Sequence, residues 1–262
     1  MAMEFTGKIV VVTGGSRGIG RAIATAFARE GAQTVIAAKS EQNLATAADA
    51  IEKTGSARPL TFAGDLRKPE TCEALFRQVE QQCGRCNILV HSAGATRSGA
   101  FLELPDEAWT DGFALKFLSA VRLSRLFWPM LKQSKGHVLA VVGSAARTPD
   151  PMFTIGGSVN AAMANFAKAL AGLGKRESVN VNVIHPGITE TDRVTDLFRA
   201  RAAAEGISIE KAVEKALAAQ GIARIGKPED VAELALFLCS ERARHIQGIA
   251  IAVDGGATPG FY

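Results

Sequence analysis

A chain of 262 residues with 47% hydrophobic side chains is long enough to bury a large core, and no linker divides it into two domains. Thirty Lys and Arg face 26 Asp and Glu for a net charge of +4, but the cations are scattered, which argues against a nucleic-acid partner. No apolar run reaches the roughly 20 residues of a membrane span, and the opening residues lack the basic flank and apolar stretch of a secretory signal, so a cytoplasmic protein with no membrane partner is expected.

Lys8–Thr13 is a short β-branched apolar run, followed by glycines and an Ala-rich helical stretch from Arg17 to Glu30. Strand signals recur at Thr34–Ala38, Leu60–Phe62, Ile88–His91, His137–Val142, Val179–His185 and Ile249–Val253, with helical segments such as Glu41–Thr54, Pro69–Gln82 and Pro228–Cys239 between them. This alternation predicts one α/β domain over residues 1–262, built on a doubly wound sheet of about seven parallel strands with helices on both faces. The loops after Thr13, Ala38, His91, Val142 and His185 should then meet around one cleft at the carboxyl ends of the strands. The long stretch from Ile188 to about Ile225 reads as irregular and is expected to form a substrate lid at about 188–225. Cys83-Gly-Arg-Cys86, with His91 nearby, has the form of a dithiol or half a metal site, but no second Cys/His pair completes a tetrahedron, so no metal is expected.

The first strand ends in Thr13-Gly14-Gly15-Ser16-Arg17-Gly18-Ile19-Gly20 and opens a helix. Glycines there let the backbone approach a pyrophosphate, while the helix N-terminus offers N–H groups and positive dipole. The Gly-x-x-x-Gly-x-Gly spacing resembles that of the short-chain dehydrogenase/reductase family. Further landmarks follow over nearly the whole chain: Asp65-Leu66, Leu89-Val90-His91-Ser92-Ala93-Gly94, Pro186-Gly187-Ile188-Thr189-Glu190-Thr191 and Val253-Asp254-Gly255-Gly256. The resemblance implies a Rossmann-type fold and a nicotinamide dinucleotide held by Gly14, Ser16, Arg17, Gly18, Ile19, Gly20, Asp65, Leu66, His91, Ala93, Gly94, Pro186, Gly187, Ile188 and Thr191. It also implies a homo-oligomer, tetramer or dimer, assembled through the helices around 109–133 and 157–175.

The second strand ends Ala37-Ala38-Lys39-Ser40, without the carboxylate that binds the adenosine ribose of NAD(H). Arg17 and Lys39 instead face the position of a 2′-phosphate, so NADP(H) is favoured over NAD(H).

In the resembling family an Asn, a Ser and a Tyr-x-x-x-Lys pair act together: the Lys lowers the tyrosine's pKa and binds the nicotinamide ribose, and the phenol exchanges the proton. Ser144 fits the serine, but Lys116 stands at the Asn position, Gly156 at the Tyr position and Asn160 at the Lys position. The one tyrosine in the chain is Tyr262, whose glycine-bearing tail is weighed as reaching a neighbouring subunit. Two readings stay open. In one, Lys116 and Asn160 have exchanged the family's cation and amide, and water, Ser144, Lys116 or His185 supplies the proton. In the other, the site has decayed or been repurposed and Lys116 extends to solvent.

The activity expected is oxidoreduction of a small carbonyl or alcohol with an atypical proton relay. The alternatives are an NADP(H)-binding regulatory or scaffold subunit without turnover and, further off, a non-redox elimination. Phe153, Arg193, Phe198, Arg199 and Arg201 around the lid would suit an acidic or CoA-linked substrate, although a solvated helical face accounts for them better.

Overall fold

Strand β1 (Ile9–Thr13) is fully buried, because its β-branched residues pack on both faces of a central parallel strand. In the computed structural model, which describes residues 3–259, it leads into α1 (Gly18–Arg29), β2 (Gln33–Ala38), α2 (Glu41–Glu52), β3 (Leu60–Ala63), α3 (Pro69–Cys83) and β4 (Ile88–His91). Helix α4 (Asp106–Gly112) continues through a π-helical segment, Phe113–Leu118, into α5 (Ser119–Gln133). The chain then forms β5 (His137–Val141), α6 (Thr154–Glu177), β6 (Asn180–Pro186), α7 (Asp192–Glu205), α8 (Ile209–Gln220), α9 (Pro228–Leu238) and β7 (Ala250–Val253).

Among the described residues the seven strands form one parallel sheet in the order β3-β2-β1-β4-β5-β6-β7. The predicted doubly wound sheet is therefore observed. Side chains alternate between its faces. Val11, Leu89, Ala140 and Val183 pack against α3, α5 and α6, whereas Val10, Val12, Val90, Leu139 and Ile184 pack against α1, α2 and α9. Thr13 pairs with His91 in register, so β1 and β4 end together. Here the strand order reverses, and the connections diverge to opposite faces and open a crevice.

The stretch read as irregular after Ile188 contains two helices, α7 and α8. Thr191 and Ser208 cap their N-termini through bonds from Val194 N and Lys211 N, and Gly206 and Gly221 end them at φ 64° and 65°. Phe198 and Ala202 of α7 pack on Ala212 and Ala216 of α8 as a separate small core. No helix among the described residues is long and apolar enough to cross a membrane.

Candidate active site

A cleft of about 750 Å³ lies at the crevice between the ends of β1 and β4. Its floor is set by glycines. Gly14 has φ +69°, and a Cβ there would sit 2.8 Å from the carbonyl oxygen of Ser92; a Cβ on Gly20 would sit 2.3 Å from the carbonyl oxygen of Gly14. The loops after β1 and β4 thus meet backbone to backbone. Thr13 Oγ1 fastens them further, accepting from Ser92 N and Ala93 N, each at 3.2 Å. Gly18, at φ +53°, opens α1, whose first turn holds no acidic residue and whose N-cap, Arg17, makes no side-chain cap bond. A helix N-terminus left in this way is a receptor for an anion. Ser16, Arg17 and Ile19 line the cleft beside it, and the cradle fits the pyrophosphate of a dinucleotide.

At one end of the cleft lie Ala38, Lys39, Ser40, Asp65 and Leu66. Ser40 Oγ caps α2 by accepting from Asn43 N. Lys39 is not wholly free to face a phosphate: its Nζ lies 3.4 Å from Asp65 Oδ2, although its side chain remains 76% exposed. Burial tends to raise the pKa of Asp65, but hydrogen bonds from the backbone and side chain of Arg67 hold it below the ordinary carboxylate value. Arg67, which the sequence reading did not single out, lines the same end and is itself held by Asp111 at 2.9 Å. Its one sequence signal is its place directly after Asp65-Leu66.

At the other end, Ala93, Gly94, Thr96, Lys116, Gly143, Pro186, Gly187 and Thr191 line the cleft. Lys116 stands in the π-helical segment, a local irregularity common at functional sites. Its stem crosses Gly94, where a Cβ would come 3.0 Å from Lys116 Cδ. Burial, with a smaller contribution from nearby Arg193, lowers the Lys116 pKa to about 8. Gly187 packs on Asp254, where its Cβ would fall 2.7 Å from that residue's Cβ, so the loop after β6 is tied to the end of β7.

Several residues named from the sequence are not brought to this cleft. His91 turns its ring towards α5, Nε2 lying 2.9 Å from Ser124 Oγ, and burial lowers its pKa to about 4, which keeps it neutral. His185 shares the face of Val181 and Val183, so it points beneath α6 and borders a separate groove with Lys168 and Gly248. Its Nδ1 lies 2.6 Å from Val142 O, and burial is the main cause of its lowered pKa. Ile188 packs against the small core formed by α7 and α8. Ser144 opens a 3₁₀ turn, Ser144–Ala146, and is partly buried beside Gly143.

Asn160 is 3% exposed and lies against Gly143, whose Cβ would fall 3.0 Å from Asn160 Nδ2. Its Oδ1 has no hydrogen-bond partner among the described residues, an unmet acceptor at the edge of the site. Gly156 has no vacant space beside it: the ring of Phe153 occupies it, 2.0 Å from where a Cβ would stand. The Arg193 guanidinium lies over that ring, 5.6 Å from its centroid. Tyr262 lies outside the described residues.

No group of three or more His, Cys, Asp or Glu among the described residues is placed to hold a metal ion. Cys83 and Cys86 are both free, and burial raises the pKa of each.

The profile of a family described as Enoyl-(Acyl carrier protein) reductase matches residues 14–258. The chain is 33% identical over 260 residues to the 3-oxoacyl-(acyl-carrier-protein) reductase FabG of Escherichia coli (strain K12), covering 97% of this chain and 98% of that protein. It is 29% identical over 252 residues to the NADPH-dependent reductase BacG of Bacillus subtilis (strain 168), with 95% and 97% covered. Among solved structures, L-sorbose reductase from Gluconobacter frateurii, complexed with NADPH and L-sorbose, superposes with a TM-score of 0.95 at 32% identity, with 100% of both chains covered.

Proposed function

Since the chain belongs to the short-chain dehydrogenase/reductase family, we propose that it is an NADP(H)-dependent reductase of a small carbonyl compound in which Lys116 takes over proton donation. The carrying observation is the course of Lys116: its stem crosses Gly94, and the residue lines the same cleft as the glycine cradle. The NADP(H) preference is supported by Arg17 and Lys39 lining the cleft's far end, by the absence of a carboxylate at Ala38, and by the NADPH-dependent relatives.

A dinucleotide held by the Gly14, Gly18 and Gly20 cradle would supply the hydride for the carbonyl carbon. The protein's own task is to receive the charge that then gathers on the carbonyl oxygen. A Lys116 ammonium with a pKa of about 8 is acidic enough to release a proton to that oxygen near neutral pH and to regain one from water. Ser144 lies outside the cleft lining but directly follows Gly143, which lines it, and is the hydroxyl we assign to positioning the oxygen; Asn160 Oδ1, buried against the same glycine, is the acceptor we assign to a cofactor hydroxyl. His185 takes no part in this scheme, since its ring is directed beneath α6.

A homo-oligomer, tetramer or dimer, belongs to the same reading. Its support is the edge strand β7, whose Ala-Ile-Ala-Val run is only partly covered within one chain.

A second reading, cofactor binding without turnover, is favoured by the Phe153 ring standing where a tyrosine at residue 156 would need room. One experiment separates the two. NADPH and NADH are titrated against the protein, and loss of NADPH absorbance is then followed across a panel of aldehydes and ketones. Turnover that disappears in Lys116→Met upholds the reductase; tight NADPH binding with no turnover across the panel upholds the binder.

A further inference from the structure

Resting on that reductase reading, we propose that the substrate carries a carboxylate close to its reacting carbonyl, and that Arg193 is the residue that selects it. Of the lid arginines, Arg199 is paired with Asp196 at 2.5 Å and Arg201 with Glu205 at 2.8 Å. Arg193 has no carboxylate partner among the described residues. It is held in place nonetheless, by a bond from Nη2 to Thr96 O at 3.2 Å and by the face of Phe153. Two anchors fix its direction and leave further N–H donors of a planar fork unused, the arrangement that receives a carboxylate in two parallel bonds.

Its position is costly in two respects. Arg193 is the second residue of α7, where the helix dipole disfavours a cation, and it shares the cleft with a second unpaired cation, Lys116. Arg193 adds, after burial, to the lowering of the Lys116 pKa. Three carboxylates line the cleft: Asp65 is held by Arg67 and Lys39, Asp196 by Arg199, and Asp192 also borders the separate groove between α1 and α9. An arrangement that breaks a local rule without a local gain is a mark of function. A substrate anion relieves both costs, with its carboxylate on Arg193 and its carbonyl oxygen towards Lys116. Phe153, beneath the Arg193 guanidinium, gives that residue an apolar backing.

The test compares acids with their methyl esters: phenylpyruvate, acetoacetate and levulinate, each beside its ester, with NADPH as reductant. At least one acid should exceed its ester in kcat/KM by on the order of 10- to 100-fold, the scale of a charge-assisted pair. Arg193→Ala should bring that ratio close to one, chiefly through the acid's KM. Arg193→Lys should restore part of it, and Arg199→Ala should leave it as it was. Esters that match or exceed acids in every pair, or an Arg193→Ala variant that keeps the acid preference, would overturn the proposal. If no compound is turned over, the reductase reading falls and calorimetric binding of levulinate to the NADP⁺ complex decides the inference alone. Binding that Arg193→Ala abolishes upholds it, and no binding, or binding indifferent to Arg193, ends it.

Discussion

Phe153 and Gly156 occupy a single side-chain space. The Phe153 ring lies so close to the Gly156 Cα that a Cβ added there would fall 2.0 Å from its Cζ. Gly156, which the resemblance sets at the family's tyrosine position, therefore shares its space with a residue three positions earlier, which lies at the N-cap of α6. No hole lies beside Gly156, and in the proposed reduction the proton donor stands on another element. Lys116, on the π-helical segment, is the group that reaches the same end of the cleft.

Gly156→Tyr alone should lower stability by about 1–3 kcal/mol through overpacking, and it should not raise activity. Combined with Phe153→Ala it should recover much of that loss, because the two changes contend for one volume. Urea denaturation of the two single variants and the double variant checks the coupling; strictly additive effects would deny it.

Lys116→Met should cut turnover by about 100-fold or more. The same variant should be more stable than the unmodified protein at pH 7, since it removes a charge that burial disfavours. For reduction in the unmodified protein, kcat/KM should fall as pH rises through about 8, where Lys116 loses its proton. The sign for stability is opposite: the unfolded lysine keeps its proton to about 10.4, so folding stability contributed by this group grows between pH 8 and that value. A flat pH profile in the rate would remove Lys116 as the donor.

His91 and His137 make the fold sensitive to mild acid. Burial lowers their pKa values to about 4 and about 3, with Arg244 and Lys8 adding to the effect at His137. The unfolded chain binds these protons near pH 6.5 and the folded chain resists them until lower pH, so stability drops as pH falls through that window. For His91 the loss at pH 5 is about 2 kcal/mol. His91→Asn should reduce the difference in unfolding free energy between pH 7 and pH 5 by about that amount, and an unchanged difference would mean that the ring is not the cause.

Arg17→Ala with Lys39→Ala should remove most of the preference for NADPH over NADH, a change of about 1–3 kcal/mol per charged contact. Lys39→Ala alone should have the smaller effect, because its ammonium is shared with Asp65. Fluorescence titration of both reduced cofactors measures this. Gly20→Ala, whose Cβ meets Gly14 O at 2.3 Å, should weaken both cofactors together rather than change the preference.

What the amino-acid order determined by itself is the part governed by local rules. Seven apolar runs separated by helical patterns specify a parallel sheet, because a buried strand and an amphipathic helix each carry their own period. Gly14, Gly18 and Gly20 mark the crevice, because close backbone approach excludes a Cβ at Gly14 and Gly20, and Gly14 and Gly18 take positive φ. The helices α7 and α8 were legible in principle from Thr191 and Ser208 at their starts and Gly206 and Gly221 at their ends. Tertiary structure alone decided the rest. Strand alternation puts His185 on the face of Val181 and Val183, but only the packing of α6 over that face removes it from the cleft. The ring of Phe153 in the space beside Gly156, the stem of Lys116 across Gly94 and the anchoring of Arg193 by Thr96 each join positions whose side chains meet only after the sheet and its layers assemble. Such contacts depend on volume and direction in three dimensions, which no spacing along the chain encodes.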